Sequence, residues 1–173
     1  MSIEAIRAAI RDVPDFPKPG ILFKDITPVL ADPALFRAAV ALFVARHRGG
    51  GLTRVAAIES RGFLFGSAVA HELGLGLIPV RKKGKLPYHT VSASYALEYG
   101  EATIEMHRDA CGPGDRVLLI DDLLATGGTA LAAAGLIERL GASVAEIDFL
   151  VELTFLPGRQ KLAAYPVFAP ISY

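Results

Sequence analysis

Excess charge of either sign is missing from this sequence. Its 173 residues carry 18 Lys and Arg against 18 Asp and Glu, a formal net charge of zero. Proteins that grip nucleic acid or a membrane surface usually hold a surplus of basic side chains to meet phosphates, so neither partner is expected. Cysteine is almost absent too. Cys111 stands alone and cannot pair within the chain, so a reducing, cytoplasmic setting is the simplest reading. Long apolar runs are also lacking: the longest in the first half, Ala38 to Ala45, falls far short of the ~18 residues a membrane span needs. The opening MSIEAIRAAIRDVPDF interrupts its apolar positions with Glu4, Arg7, Arg11 and Asp12, so no signal-peptide core is expected there. No G-x-G-x-x-G follows a strand and no G-x-x-x-x-G-K-[ST] occurs, which removes a Rossmann dinucleotide site and a P-loop. His71-Glu72 starts like a zinc-protease helix, but Leu75 occupies the place of the second histidine.

With 52% hydrophobic residues, the chain suits one soluble domain, 1–173. A domain of this size buries roughly 70% of its unfolded surface and needs no covalent staple. Ile3, Ile6, Ile10 and Val13 fall at helical spacing and predict a short opening helix. Pro14, Pro17, Pro19 and Gly20 end it and predict an extended passage to about Pro28. Asp32-Pro33 reads as a cap followed by proline at the first helical position, opening a helix that runs to about His47.

From there strands and helices alternate. Strands are expected at 54–58, 77–80, 116–120 and 144–153, and helices at 62–73 and 126–140. ASYALEY and EATIEMH, on either side of Gly100, predict a β-hairpin. The alternation means an α/β fold with a mostly parallel central sheet flanked by helices.

Chemistry concentrates in Val117 to Thr129, VLLIDDLLATGGT. A buried strand delivers Asp121 and Asp122 at its carboxyl end, where ligands bind in open α/β sheets. The turn Ala125-Thr126-Gly127-Gly128-Thr129 then opens a helix, whose unblocked backbone N–H groups and dipole suit a phosphate. Two carboxylates beside a phosphate cradle make sense for a sugar, accepting hydrogen bonds from vicinal hydroxyls. The combination proposes a ribose 5-phosphate. Alone, the acid pair is as readily a structural feature of a loop; the turn after a buried strand favours a site. Cys111 has no neighbours that would activate a thiol, and His89 and His107 are expected on the surface.

This segment resembles the phosphoribosyl pyrophosphate motif of the type I phosphoribosyltransferases. FPKPGILFKDITPVL (16–30), ESRGFLFG (59–66), VRKKGKLP (80–87), TVSASYALEYG (90–100) and LVELTFLPGRQKL (150–162) are similar, in the same order, to the adenine phosphoribosyltransferase family. The resemblance implies a type I phosphoribosyltransferase-like fold, with an N-terminal hood over 1–30 and a flexible loop and hairpin over 82–107. It implies magnesium-dependent transfer of ribose 5-phosphate from phosphoribosyl pyrophosphate to N9 of adenine, giving AMP and pyrophosphate in purine salvage. A homodimer and a cytoplasmic location follow from it as well.

Residue by residue, the resemblance assigns the ribose to Asp121 and Asp122 and the 5′-phosphate to Ala125, Thr126, Gly127, Gly128 and Thr129. Pyrophosphate goes to Ser60, Arg61, Arg81, Lys82 and Lys85, with Arg61 also catalytic. Glu98 matches the acid that exchanges a proton or hydrogen bond with the purine, and Tyr95 and Tyr99 would help close the hairpin. Adenine would lie between Phe23 and Leu123, its edge read by backbone groups of Leu22 and Lys24. Mg²⁺ would have no site built from protein alone and would be held mainly by substrate and water. Tyr88-His89 depart from the small and basic residues expected of the family there. Two rivals remain: the same chemistry on a 6-oxopurine or pyrimidine, and a regulator that binds the activated sugar without catalysis.

Overall fold

The computed structural model describes residues 2–96 and 100–173, and these pack as two compact units, 1–45 and 46–173. In the first unit, α1 (Ile3–Ala9) starts where the Ser2 hydroxyl accepts a hydrogen bond from the Ala5 N–H. The helix is shorter than its apolar spacing predicts, because residues from Arg11 pair into a sheet. Strands β1 (Arg11–Pro14) and β2 (Leu22–Asp25) run antiparallel, from Arg11 opposite Asp25 to Pro14 opposite Leu22. The passage expected to be merely extended therefore contains a strand, and a short helix, α2 (Thr27–Ala31), follows it. Helix α3 (Pro33–His47) begins where expected: Asp32 Oδ1 accepts from the N–H groups of Ala34 and Leu35 at 2.8 and 3.0 Å.

The second unit is built on one mixed sheet. In chain order its elements are β3 (Arg54–Ile58), α4 (Gly62–Leu73), β4 (Gly76–Lys82), β5 (Thr90–Ala96), β6 (Glu101–His107), β7 (Arg116–Leu124), α5 (Gly128–Arg139), β8 (Ser143–Glu152), α6 (Gly158–Lys161), β9 (Val167–Phe168) and β10 (Ile171–Ser172). The strands lie in the order β10-β8-β7-β3-β4-β6-β5, with β9 also on β8. Pairings from β10 through β4 are parallel, while β6 is antiparallel to both β4 and β5. This is the mostly parallel α/β sheet that the alternation predicts.

Helices cover both faces of the central strands, which explains the unbroken apolar run of β7. Val117, Leu118, Leu119 and Ile120 are all fully buried. Ala56 belongs to the core that α5 closes with Ala130, Ala133, Ala134, Leu136 and Ile137. Its neighbour Ala57 points the other way, toward α4, where Gly66 leaves no room for a Cβ. Two boundaries differ from expectation in ways that matter. Strand β7 continues four residues past Ile120, because β8 keeps pairing with it out to Leu124 opposite Glu152. Helix α5 starts at Gly128 instead of Thr126, because Gly127 adopts a left-handed φ of 75°.

Candidate active site

Neighbouring parallel strands β3 and β7 pair as far as Ala57 opposite Ile120, and β7 runs on beyond that point. Beyond β3 the chain turns through Glu59-Ser60-Arg61 into α4, and β7 ends with Asp121 and Asp122 in its last residues. Gly62 sets how closely the two ends approach. A Cβ there would lie 2.9 Å from both Asp121 Oδ1 and the Ile120 carbonyl oxygen. Between them opens a cleft of about 390 Å³ lined by Glu59, Ser60, Arg61, Lys82, Asp121, Asp122, Leu123 and Ala125. It lies at the carboxyl edge of the sheet, where this architecture places ligands.

The electrostatics are those of an acid pair short of counter-charge. Burial, reinforced by the charge of Asp122, raises the pKa of Asp121 well above the usual carboxylate range. Burial raises that of Asp122 too, opposed first by the guanidinium of Arg61. Arg61 Nε lies 2.9 Å from Asp122 Oδ2, yet that oxygen has no aligned hydrogen-bond donor. The contact is an ion pair whose N–H is not directed at the oxygen. Ligand hydroxyls or a cation arriving here would compensate the two acids directly.

Glu59 arranges the basic side. Its carboxylate takes Arg81 Nε and Nη2 at 3.2 and 3.3 Å and the Lys82 N–H at 3.0 Å. These contacts hold its pKa low despite burial. Arg81 also donates to the Lys85 carbonyl at 3.1 Å. Lys82 thus lines the cleft, whereas Arg81 and Lys85 are not among its lining residues.

A smaller pocket of about 80 Å³ adjoins, sharing Asp121, Leu123 and Ala125 with the first and lined further by Thr126, Gly127, Gly128, Thr129 and Phe149. Gly127, one of its lining residues, packs closely on Gly158: a Cβ on Gly127 would meet the Gly158 carbonyl oxygen at 2.8 Å. The N–H groups that open α5 have no side-chain cap, so they remain available to an anion. Tyr95 reaches this corner from β5. Its hydroxyl accepts from Thr129 Oγ1 at 2.8 Å, and its ring lies 3.2 Å from where a Cβ of Gly128 would be.

Ser60, Arg61, Lys82, Asp121, Asp122, Leu123 and Ala125 to Thr129 are therefore brought around two adjoining pockets. Leu22, Phe23 and Lys24 lie on β2 of the first unit. There Phe23 packs edge-on to Phe16 with ring centroids 5.1 Å apart, and Lys24 pairs with Asp12 at 2.6 Å. Glu98 and Tyr99 lie outside the described residues. Glu59, Gly62, Phe149 and Gly158 are additions that the motif reading passed over. The two glycines carry no chemical signal, and Phe149 reads as ordinary strand core.

His89 is exposed as expected, but His107 is half-buried with Nε2 withdrawn from solvent. Burial raises the pKa of the Cys111 thiol, which is the opposite of activation. Among the described residues, no helix is long and apolar enough to cross a membrane.

Asp121 and Asp122 are hard oxygen donors, and Mg²⁺ is commonly held by one or two carboxylates together with substrate phosphates and water. Among the described residues, three metal-ligating side chains converge only at His47, Glu146 and Asp148. That group shares no residue with the cleft.

Residues 26–160 match the phosphoribosyl transferase domain family. An adenine phosphoribosyltransferase of Nitrosococcus oceani is 56% identical over 171 residues, which cover 99% of this chain and 100% of that protein. The crystal structure of adenine phosphoribosyltransferase from Thermoanaerobacter pseudethanolicus superposes with a TM-score of 0.97 at 50% identity, covering 99% of this chain and 100% of that one. A Trypanosoma brucei enzyme of the same name, solved with AMP, pyrophosphate and ribose 5-phosphate, gives a TM-score of 0.90 at 27% identity, covering 98% of this chain and 79% of that one.

Proposed function

Since the chain belongs to the phosphoribosyltransferase family, with adenine phosphoribosyltransferases among its relatives at over half identity, we propose that its two pockets receive the two ends of phosphoribosyl pyrophosphate. The reaction is transfer of ribose 5-phosphate to N9 of adenine, giving AMP and pyrophosphate, a step of purine salvage. The observation that carries the assignment of ends is the shared wall. Asp121, Leu123 and Ala125 border both the acid-lined cleft and the glycine turn, so one sugar spans them.

In this reading the N–H groups and hydroxyls of Ala125 to Thr129 hold the 5′-phosphate. Asp121 and Asp122 accept from the ribose hydroxyls, charge-assisted hydrogen bonds that also relieve their uncompensated burial. Ser60, Arg61 and Lys82 face the departing pyrophosphate, with Arg81 and Lys85 behind them. Fixed positive charge at that end stabilises negative charge as the bond to the anomeric carbon breaks. Mg²⁺ would be held mainly by substrate oxygens and water, with Asp121 and Asp122 as the nearby carboxylates, and would supply Lewis-acid charge to the same leaving group.

Leu123, which lines the cleft, packs on one face of the adenine ring. Groups that pair with the exocyclic amine would be left unpaired by a 6-oxopurine, which is a strong means of rejection. Glu98 handles the purine proton, while Tyr95 and Tyr99 shut the hairpin against water, the competing nucleophile. Residues 1–173 act as a single catalytic domain in a cytoplasmic homodimer, an assembly that sedimentation tests directly.

Asp121→Asn and Asp122→Asn are each expected to raise KM for phosphoribosyl pyrophosphate about tenfold, since each removes one charge-assisted hydrogen bond. KM for adenine should stay within about twofold in both. Steady-state kinetics at saturating co-substrate measure this, and an unchanged KM for the sugar in both variants would refute the ribose assignment. A crystal soaked with AMP provides the direct test: the phosphate must lie against Gly127 and Gly128.

A further inference from the structure

Behind the basic side of the cleft lies a second acid with no assigned task. Glu105 sits on β6, opposite Arg81 of β4 and Ser92 of β5, and is 5% exposed. A single oxygen, Oε1, accepts from three successive backbone N–H groups, those of Gly84, Lys85 and Leu86, at 3.0, 3.1 and 3.1 Å. Oε2 accepts from Thr90 Oγ1 at 3.3 Å. Gly84 has a left-handed φ of 83°, which turns consecutive N–H groups inward to one point. Such a backbone nest is an anion cradle. Here the anion comes from the chain itself.

The location of that cradle gives it meaning. The loop it gathers carries Lys85, begins just after Lys82, and receives a hydrogen bond from Arg81 at the Lys85 carbonyl. Arg81 and the Lys82 N–H are in turn fixed by Glu59 at the cleft wall. Glu59 and Glu105 therefore clamp one short basic segment at its two ends, Arg81-Lys82 and Gly84 to Leu86. Without Glu105, three successive N–H groups lose their acceptor, the loop gains conformations, and the adjoining Lys82 is held less firmly at the cleft.

We propose that Glu105 is a positioning residue for the pyrophosphate end of the substrate, acting through the 82–86 loop and not by contact. This rests on the assignment of that end of the cleft to pyrophosphate. A carboxylate held in a nest also keeps the nest from capturing the leaving group, so the loop offers side chains to pyrophosphate and withholds its backbone.

The test compares wild type, E105Q and E105A by calorimetric titration with magnesium pyrophosphate and, separately, with AMP. Hydrogen exchange at residues 84–86 is followed in the same samples. E105Q retains one acceptor oxygen and should fold even if E105A does not. The expected result is about tenfold weaker pyrophosphate binding in E105Q, a larger loss in E105A, AMP affinity within about twofold, and faster exchange at 84–86 in both. A KM increase for phosphoribosyl pyrophosphate without a matching fall in kcat should accompany it.

Faster exchange with unchanged pyrophosphate binding would overturn the positioning role and leave the reaction assignment intact. Equal losses of pyrophosphate and AMP would also overturn it, by showing general destabilisation. A wild-type protein that bound AMP but no pyrophosphate would instead refute the assignment of the cleft, and this role with it.

Discussion

Gly158→Ala is expected to lower kcat/KM by about two orders of magnitude, although residue 158 lies outside the Ala125–Thr129 turn that is proposed to hold the phosphate. Its added methyl group would fall far inside contact distance of the Ala125 carbonyl oxygen and 2.8 Å from Leu124 Cδ1. The Leu124 side chain can rotate, but the carbonyl is backbone and belongs to the first residue of the turn. Relief requires shifting either α6 or the turn by roughly 1 Å, a displacement that can cost about a hundredfold in rate at a catalytic centre. Overpacking of this kind also removes roughly 1–3 kcal/mol of stability. Kinetics and thermal unfolding separate the two effects: the catalytic loss should persist at temperatures where the variant is fully folded. Wild-type kinetics in G158A would show that the turn tolerates displacement and that its geometry is not limiting.

His47→Ala should be the most damaging change to stability outside the site. At the end of α3, His47 Nε2 lies 2.7 Å from Asp148 Oδ2, and Arg46 holds Glu146 through contacts of 2.9 and 2.5 Å. Asp148 is fully buried, and its second oxygen has no partner. Removing the histidine strands that carboxylate, and breaking a buried pair in this way typically costs about 3–5 kcal/mol. For a chain of this length the melting temperature should fall by roughly 10–20 °C.

The loss should also depend on pH. Burial pushes the pKa of Asp148 up to about 6, against the lowering influence of His47 and, more weakly, Arg46. A carboxyl raised above its unfolded value of 3.8 favours the folded state when protonated. Its contribution is complete below the unfolded value and is lost as pH rises through about 6. Without His47 the cost of ionising Asp148 grows. The deficit of the variant should therefore be largest near neutrality and should shrink on acidification toward pH 5. Urea unfolding at the two pH values measures it, and a deficit that grew with acid would contradict the assignment of cause.

Much of the fold was legible because two signals coincide in it. The apolar runs of β3 and β7 are too continuous for a one-faced sheet, and each helix between them starts or stops at glycine or proline. The antiparallel pair β1–β2 was not legible: four residues each, with no buried apolar side chain in either, they pair across a proline-rich turn that dominates the local pattern. The two acids were expected at the carboxyl end of a strand closing at Ile120, yet pairing with β8 carries β7 past them to Leu124.

At the site, Asp121, Asp122 and the glycine turn could be found because their residue types announce their chemistry. Glu59, Glu105 and Gly158 could not. A glutamate in a hairpin and a glycine after proline are common, and what distinguishes these is which distant backbone comes to meet them.

The close approach at Gly62 has a consequence for substrate size. Because the Gly62 main chain packs against the Ile120 and Asp121 main chain as well as the Asp121 carboxylate, the spacing between the Arg61 turn and β7 is set by backbone, and in the proposed function it gauges the span from the leaving group to α5. A sugar phosphate one carbon longer would overrun one end or the other, whereas a change of nucleobase leaves the gauge untouched. The two kinds of selectivity are therefore separable, and engineering one need not disturb the other.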